Sequence, residues 1–266
     1  MKTAASGCCH HGTRAQPSGC SPVKAGILAF LAAVLVTHGG GVAEAQVKPS
    51  AEAKLAFAAS GTNEFAFDTG VLRGKLRAGG KSGGLSSVEH LPTGATLDSS
   101  MGLFGHYRVF SANQRYGTAA WDWPSEARLR LDGSVEVYWP SAADRPFELR
   151  AVYRWAAPDS LDLETRVQAR TNLATFESFL ASYFAEGFTH ACVLPRSKGR
   201  EELATADRDS GVWQAFPRDG KAVSIIQDGR WKFPPSPVDW IIRPPLAKPI
   251  GMRRCPANSL QAVIMS

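Results

Sequence analysis

The chain has 266 residues, and its 30 Lys and Arg against 24 Asp and Glu give a formal net charge of +6. The charges are evenly mixed along the chain, and no basic run is interleaved with aromatic residues, so the pattern gives no support to nucleic-acid binding. No spacing of His and carboxylate residues is typical of a metal centre, and no motif indicates a cofactor, so we expect neither.

Residues 1–45 have the three parts of a secretory signal peptide. A region with basic residues and no acid is followed by the apolar run 26–37 and by the small-residue site Ala43-Glu44-Ala45. The apolar run is shorter than the ~20 residues that a membrane-spanning helix needs. We therefore predict a secreted or periplasmic protein without membrane attachment after cleavage, with an uncleaved N-terminal anchor as the alternative.

Two cysteines, Cys192 and Cys255, remain after such a cleavage. An oxidising compartment would permit a disulfide between them, and the sequence leaves this pairing open. The remaining chain is long enough for one sizeable β domain, so we predict a linker at 46–60 and a single β-sandwich domain at 61–266.

Strand patterns begin at residues 64–77, where apolar and polar side chains alternate. The glycine-rich segment 78–87 lacks the lysine-serine ending of a phosphate-binding loop and is expected to be a flexible turn. A strand is predicted at 102–111. Asp132-Gly133 is a strong hairpin signal between the strand patterns on either side of it.

The longest alternating region is 147–184. Two strands, predicted at 147–155 and 161–169, are separated by a Pro-Asp loop and form a hairpin, and a third apolar run follows at 176–184. The proline-rich segment 231–249 is expected to cross the surface. The strand-like apolar run 260–266 either closes the sheet or marks a chain truncated at its C-terminus. Together these patterns predict an all-β, antiparallel two-sheet sandwich.

Three segments of this region resemble motifs of the galactose mutarotase (aldose 1-epimerase) superfamily. Residues 158–163 (PDSLDL) are similar to a turn of that family, residues 180–184 (LASYF) to its HSYF motif, and residues 108–115 (RVFSANQR) to a segment that supplies a sugar-binding arginine. The resemblance covers residues 103–184. It implies an antiparallel supersandwich with a site that faces a sugar.

The chain departs from this family at its catalytic residues. Ala181 stands where the family has the histidine that protonates the ring oxygen of the sugar, and a methyl group cannot transfer a proton. No counterpart of the family's glutamate base is found on a late strand. The resemblance therefore implies carbohydrate recognition more than epimerase chemistry.

Polar and aromatic residues are most concentrated between residues 106 and 123. Aromatic faces stack on the C–H face of a pyranose, while Arg, Asn and Asp side chains reach its hydroxyls. If the segment is extended, both tryptophans line one groove; the alternative is that the aromatic residues are core and the charges ordinary surface. The candidate ligand-binding residues are Tyr107, Arg108, Asn113, Arg115, Tyr116, Trp121, Asp122 and Trp123.

Three residues are candidates for acid or base catalysis. Glu177 lies among phenylalanines, which would raise its pKa, and His106 or His190 would act with it. The alternatives are a glutamate on the wet face of a strand and two structural histidines. Three functions remain open: a carbohydrate-binding domain without epimerase activity, a carbohydrate-active enzyme (epimerase, lyase or glycoside hydrolase), and a structural protein of the cell envelope.

Overall fold

The structure is a computed structural model that describes residues 55–79, 83–112, 114–196, 202–206 and 245–265. It also gives the backbone of 7–9, 35–36, 214–215 and 241–242, and the single residues Gly220 and Val223. The described residues are predominantly β-strand, with a 3-10 turn at Ala120–Asp122. Within these ranges, no helix has the length and apolar character needed to cross a membrane.

The strands are numbered in chain order. They are β1 (Gly7–Cys9), β2 (Leu35–Val36), β3 (Ala58–Gly61), β4 (Glu64–Asp68), β5 (Leu72–Arg77), β6 (Gly84–His90), β7 (Ala95–Thr96), β8 (Gly105–Ser111), β9 (Gln114–Arg115), β10 (Glu126–Leu129), β11 (Val135–Trp139), β12 (Phe147–Ala157), β13 (Ser160–Ala169), β14 (Glu177–Ser182), β15 (His190–Pro195), β16 (Ala204–Ala206), β17 (Gln214–Ala215), β18 (Ile241–Ile242), β19 (Leu246–Cys255) and β20 (Leu260–Met265). The prediction of an all-β, antiparallel, sandwich-like fold is confirmed, with the strands distributed over several sheets.

The predicted central hairpin lies in a four-stranded antiparallel sheet with the order β10-β11-β12-β13. Strands β12 and β13 pair continuously from Phe147 opposite Ala169 to Trp155 opposite Leu161, and the predicted Pro-Asp loop joins them. The apolar side chains of β12 that alternate along the sequence, from Phe147 to Trp155, are all buried, and Glu148 and Val152 on the other face are buried as well. Period-two alternation was therefore sufficient to identify the inward face of this hairpin.

The Asp132-Gly133 hairpin between β10 and β11 is also confirmed. Gly133 adopts a φ of 79°, a left-handed conformation that glycine adopts without steric cost. The Asp132 carboxylate accepts hydrogen bonds from the backbone N–H of Ser134 at 3.0 Å and from its hydroxyl at 2.5 Å. These bonds and the nearby Arg154 guanidinium lower the pKa of Asp132 from 3.8 to about 2.

The first large sheet is five-stranded and antiparallel, with the order β3-β4-β5-β6-β7. Two of its strands begin inside segments that were predicted to be a linker and a flexible turn. Strand β3 begins at Ala58, inside the segment 46–60 that was predicted to be a linker. Strand β6 begins at Gly84, inside the predicted flexible turn 78–87. The backbone of Leu103 passes so close to Gly84 that a Cβ there would lie 2.1 Å from the Leu103 carbonyl oxygen. Glycine is therefore required at position 84 because the two backbones lie close together, and not because the segment is a flexible loop.

The C-terminal sheet has the order β16-β15-β19-β20-β2. The terminal strand β20 is confirmed. Of the proline-rich segment 231–249, the structure describes 245–249 and the backbone of 241–242, and Pro249 is exposed at the surface although it lies in a strand. Pro249 lies in β19, a central strand between β15 and β20. The strand tolerates Pro249, which has no backbone N–H to donate, for two reasons. Strand β19 pairs with β20 only from Ile250 onward, and its register with β15 shifts between Val193 and Pro195.

The two cysteines of this sheet are buried and not joined by a disulfide. Cys192 in β15 pairs with Met252 in β19, three positions along that strand from Cys255. The open question of their pairing is thereby answered for this structure, since residues at such an offset along paired strands are too far apart to bridge.

Two short strands lie within the predicted signal peptide 1–45. Strand β1 pairs with β14, with Cys8 opposite Ala181, and β2 pairs with β20. Cleavage after Ala45 would leave the outer edges of β14 and β20 open.

Candidate ligand-binding site

The site residues are placed by a β-bulge in the sheet with the order β1-β14-β8-β9. Val109 pairs with Ser178 and His106 pairs with Leu180, so that two residues of β8, Tyr107 and Arg108, lie opposite one residue of β14. A bulge interrupts the alternation and redirects a side chain. Tyr107 and Arg108 consequently lie on the same side of the sheet, and the Arg108 guanidinium carbon is 5.0 Å from the centre of the Tyr107 ring.

The other side of β8 faces the main hydrophobic core. Val109 and Leu180 belong to that core, and His106 is fully buried with its ring 5.1 Å from Trp139. His106 Nε2 hydrogen-bonds Thr165 Oγ1 at 2.9 Å. These contacts give His106 a structural environment on the opposite side from Tyr107 and Arg108.

An aromatic cluster covers the site side of the sheet. The rings of Tyr107 and Trp121 are stacked, with centres 4.6 Å apart and an angle of 17° between their planes. Tyr183 packs edge-on against Trp121, and Ala119 and Ala181 complete the cluster. Ala181, which stands where the resemblance places a catalytic histidine, therefore packs directly within this cluster.

Trp121 approaches the sheet closely because β8 begins with a glycine. A Cβ on Gly105 would lie 3.2 Å from Trp121 Cε3 and 3.0 Å from the carbonyl oxygen of Gly83. The indole of Trp121 is only 7% exposed. Trp121 thus supports Tyr107, which is the half-exposed member of the stacked pair.

The expectation that Trp121 and Trp123 line one groove is wrong. Residues Ala120–Asp122 form a 3-10 turn, in which positions two apart point in different directions, and not an extended segment. Trp123 points into the main core, where it packs on Phe147 and carries Arg145 over its ring at 4.6 Å.

Tyr116, Asp122 and Asn113 are three further candidates from this segment, and the structure describes the first two. Tyr116 is a core residue that packs edge-on against Phe147 at 5.0 Å. Asp122 is exposed. Asn113 lies outside the described residues.

Two arginines lie on the site side. Arg108 is fully buried, and Arg115 in β9 pairs with Phe110, which packs with Phe179 on that side. Arg115 Nη2 donates a hydrogen bond to the Thr118 carbonyl at 2.8 Å, which orients the guanidinium. Burial lowers the pKa of Arg115, and the positive charge of Arg108 lowers it further, whereas Tyr107 acts in the opposite direction. The two cations are thus close enough to repel one another.

The register of three strands places Glu177 on the same side of the sheet as the two arginines. It pairs with Phe110, and Phe110 pairs with Arg115, so Glu177, Phe110 and Arg115 form one row across the sheet. The Glu177 side chain is half-exposed. His190 begins β15 in a different sheet and hydrogen-bonds Thr189 at 2.8 Å. The structure therefore brings Glu177 together with the arginines but not with His106 or His190.

We call the combined group the aromatic–arginine cluster. Its members are Tyr107, Arg108, Arg115, Trp121, Glu177 and Tyr183. The alternation of β14 places 177, 179, 181 and 183 on one side, so this signal could have identified Tyr183 as a site residue from the sequence. In the described part of the chain, no group of three or more His, Cys, Asp or Glu residues is arranged to hold a metal ion.

The chain was compared with protein-family models, with curated proteins and with solved structures, and none of the three comparisons found a match. The chemistry of the cluster itself is therefore the basis on which a function is assigned.

Proposed function

We propose that this chain is an exported carbohydrate-recognising domain of the galactose mutarotase-like type that lacks epimerase activity. The observation that carries the proposal is the aromatic–arginine cluster, which combines a tyrosine ring, two guanidinium groups and a carboxylate on one side of a sheet. An aromatic body with a few convergent polar groups is the usual composition of a small-molecule site.

The half-exposed residues of the cluster would make the contacts. Tyr107 carries a hydroxyl that can exchange hydrogen bonds with the hydroxyls of a pyranose. Arg115 donates hydrogen bonds and Glu177 accepts them. Trp121, held beneath Tyr107, would fix the ring in position and so reduce the entropy lost on binding.

Ala181 supports recognition over epimerase chemistry. Its methyl group lies in the same hydrophobic cluster as Trp121, at the position where the resemblance to the mutarotase family implies a histidine that would protonate the sugar. The two histidine candidates lie on the opposite side of β8 and in a different sheet, so neither supplies that proton to a sugar held at the cluster.

The test is NMR titration of the full-length chain with mono- and oligosaccharides, following line broadening and anomer exchange together. Tyr107→Ala should weaken binding about tenfold, which is the loss expected for a central aromatic contact. Tyr138→Ala is the matched control, because Tyr138 is a half-exposed tyrosine in another sheet with an arginine over its ring at 4.0 Å.

The outcomes separate the three functions. Broadening without faster anomer exchange, weakened by Tyr107→Ala and not by Tyr138→Ala, supports a binding domain. Accelerated exchange or a new product, lost in Glu177→Gln, would establish an enzyme instead. Absence of binding by every sugar would contradict the proposal and leave the structural role.

A further inference from the structure

We infer that the chain forms a two-fold symmetric dimer in which strand β10 of one copy pairs with β10 of a second copy. The surface involved lies in a different sheet from the aromatic–arginine cluster, and the inference does not depend on the proposed function. It follows from the charges and the exposed leucines at one edge of the sheet β10-β11-β12-β13.

Strand β10 is the edge strand of that sheet, since in the described part of the chain it pairs with β11 alone. An edge strand presents backbone N–H and C=O groups that can pair with a strand of another molecule. The pairing with β11 continues one residue beyond β10, because Arg130 N donates to the Ser134 carbonyl at 2.8 Å. The edge available to a second strand is therefore 126–130, with Arg128 at its centre.

The core-facing side of this edge is incompletely covered. Leu129 pairs with Val135, which is fully buried, and so lies on the core face of the sheet. Leu129 is nevertheless 41% exposed, and Leu131 in the turn beyond it is fully exposed. A strand added at this edge would cover apolar surface of Leu129 that the chain itself leaves in water.

The outward-facing side of the edge carries its charges. Glu126, Arg128 and Arg130 alternate with the core-facing residues, and Arg128 is ion-paired with Glu136 at 2.8 Å. Among the residues that the structure describes, Glu126 and Arg130 form no salt bridge. One carboxylate and one guanidinium thus lie at equal distances along the strand on either side of Arg128.

This charge pattern is self-complementary under two-fold symmetry. In an antiparallel pair with Arg128 on the axis, Glu126 of each copy lies opposite Arg130 of the other. Like charges opposite one another are destabilising, but each Arg128 is already ion-paired with Glu136 of its own copy. Charges on an edge strand usually prevent its pairing with another chain, whereas these charges match those of a second copy.

The core face and the neighbouring registers favour the same alignment. It places Ala127 opposite Leu129 of the second copy, so that apolar residues meet on the core face. A shift by one residue would set the core face of one copy against the outer face of the other. A shift by two residues would place Arg130 opposite either Arg128 or Pro124, and proline has no N–H to donate.

Sedimentation velocity of the full-length chain over a range of concentrations tests the dimer. We expect a monomer–dimer equilibrium with a Kd of about 1–100 µM, because one pair of short strands is smaller than a standard interface. Hydrogen exchange of the β10 amides that face the edge should be slower at concentrations above the Kd than below it.

Charge reversals test the register. Glu126→Arg and Arg130→Glu each place like charges opposite one another at both symmetric positions, so each should raise the Kd about tenfold or more. The double variant restores two pairs of opposite charges and should return the Kd to within about threefold of the wild-type value. Arg73→Glu is the matched control, since Arg73 is an exposed arginine on the central strand β5 of another sheet. Circular dichroism checks that each variant is folded.

Each outcome decides the inference. A wild-type chain that remains monomeric at about 500 µM would overturn it, as would oligomers of more than two copies, since an edge contact on a two-fold axis closes at the dimer. A dimer that is insensitive to both single reversals, or a double variant that is no tighter than the single ones, would also overturn it. Weaker dimers in both single variants, recovery in the double variant and an unchanged Kd in Arg73→Glu would support it.

Discussion

Asp98→Ala should be among the most destabilising substitutions near the site. The Asp98 side chain is 8% exposed and accepts hydrogen bonds from two backbone groups of β6, Ser87 N at 3.0 Å and Val88 N at 2.6 Å. Ser87 has a φ of 53°, an unusual conformation for a residue with a side chain, and the carboxylate helps to hold it. The adjoining backbone pairs with Tyr183, since Ser99 N donates to the Tyr183 carbonyl at 2.7 Å.

The magnitude follows from the two amides that lose their acceptor. A buried polar group left without a partner costs about 1–3 kcal/mol, so two such groups lower the free energy of unfolding by about 2–6 kcal/mol. For a domain of this size, at about 2–4 °C per kcal/mol, that loss lowers Tm by roughly 4–24 °C. Urea unfolding followed by tryptophan fluorescence, together with calorimetry, measures both quantities. A loss below about 1 kcal/mol would refute the reasoning, because it would show that the two amides find other partners.

Asp98→Asn is the matched variant. Its amide oxygen keeps one acceptor, and the variant has no charge to bury. Burial is the largest influence on Asp98 and raises its pKa, although the backbone hydrogen bonds oppose the shift. A raised folded-state pKa stabilises the fold below the unfolded pKa, and this stabilisation is lost as the pH rises through the folded value. We therefore expect Asp98→Asn to destabilise less than Asp98→Ala and to remove this pH dependence.

Three further predictions concern single contacts. Asp132→Asn keeps the turn but removes the charge of the carboxylate. Because the folded-state pKa of Asp132, about 2, lies below the ordinary value of 3.8, the wild type should lose stability relative to this variant as the pH falls from 3.8 through 2. The measurement is the Tm of both proteins as a function of pH. Gly105→Ala should cost about 1–3 kcal/mol and alter tryptophan fluorescence, because the indole and backbone packed against it must move, whereas Gly61→Ala, whose Cβ would make ordinary contacts at 3.6 Å, should be nearly neutral. Thr165→Val should cost about 1–3 kcal/mol in urea unfolding, because it removes the hydroxyl partner of a buried His106 nitrogen.

The sequence predicted those parts of the fold where local chemistry and burial agree. The hairpin β12–β13 shows period-two alternation around a Pro-Asp loop, and the Asp132-Gly133 turn contains the residues that its backbone requires. Strands that begin at Gly84 or contain Pro249 were not predicted, because their compatibility with a sheet depends on distant partners. Gly84 meets the backbone of Leu103, and Pro249 lies beyond the start of pairing with β20.

The candidate site was predictable only in part, for the same reason. Tyr107, Arg108, Arg115 and Trp121 lie together as a cluster within the segment where polar and aromatic residues are concentrated. The separation of Trp123 depends on a 3-10 turn that extended-chain alternation does not reveal. Side-chain direction beyond a bulge cannot be obtained from one strand, because a bulge is defined by the register of its partner.

The bulge in β8 determines what the sheet presents on each side. With uninterrupted alternation, Arg108 would point the same way as His106, into the core beside Trp139. With the bulge, His106 remains in the core while Arg108 joins Tyr107 on the side that carries Ala181. The histidine is thereby removed from the site and the arginine is brought into it. The bulge therefore gives the cluster a guanidinium beside the methyl group of Ala181 and keeps the imidazole on the core side of the sheet.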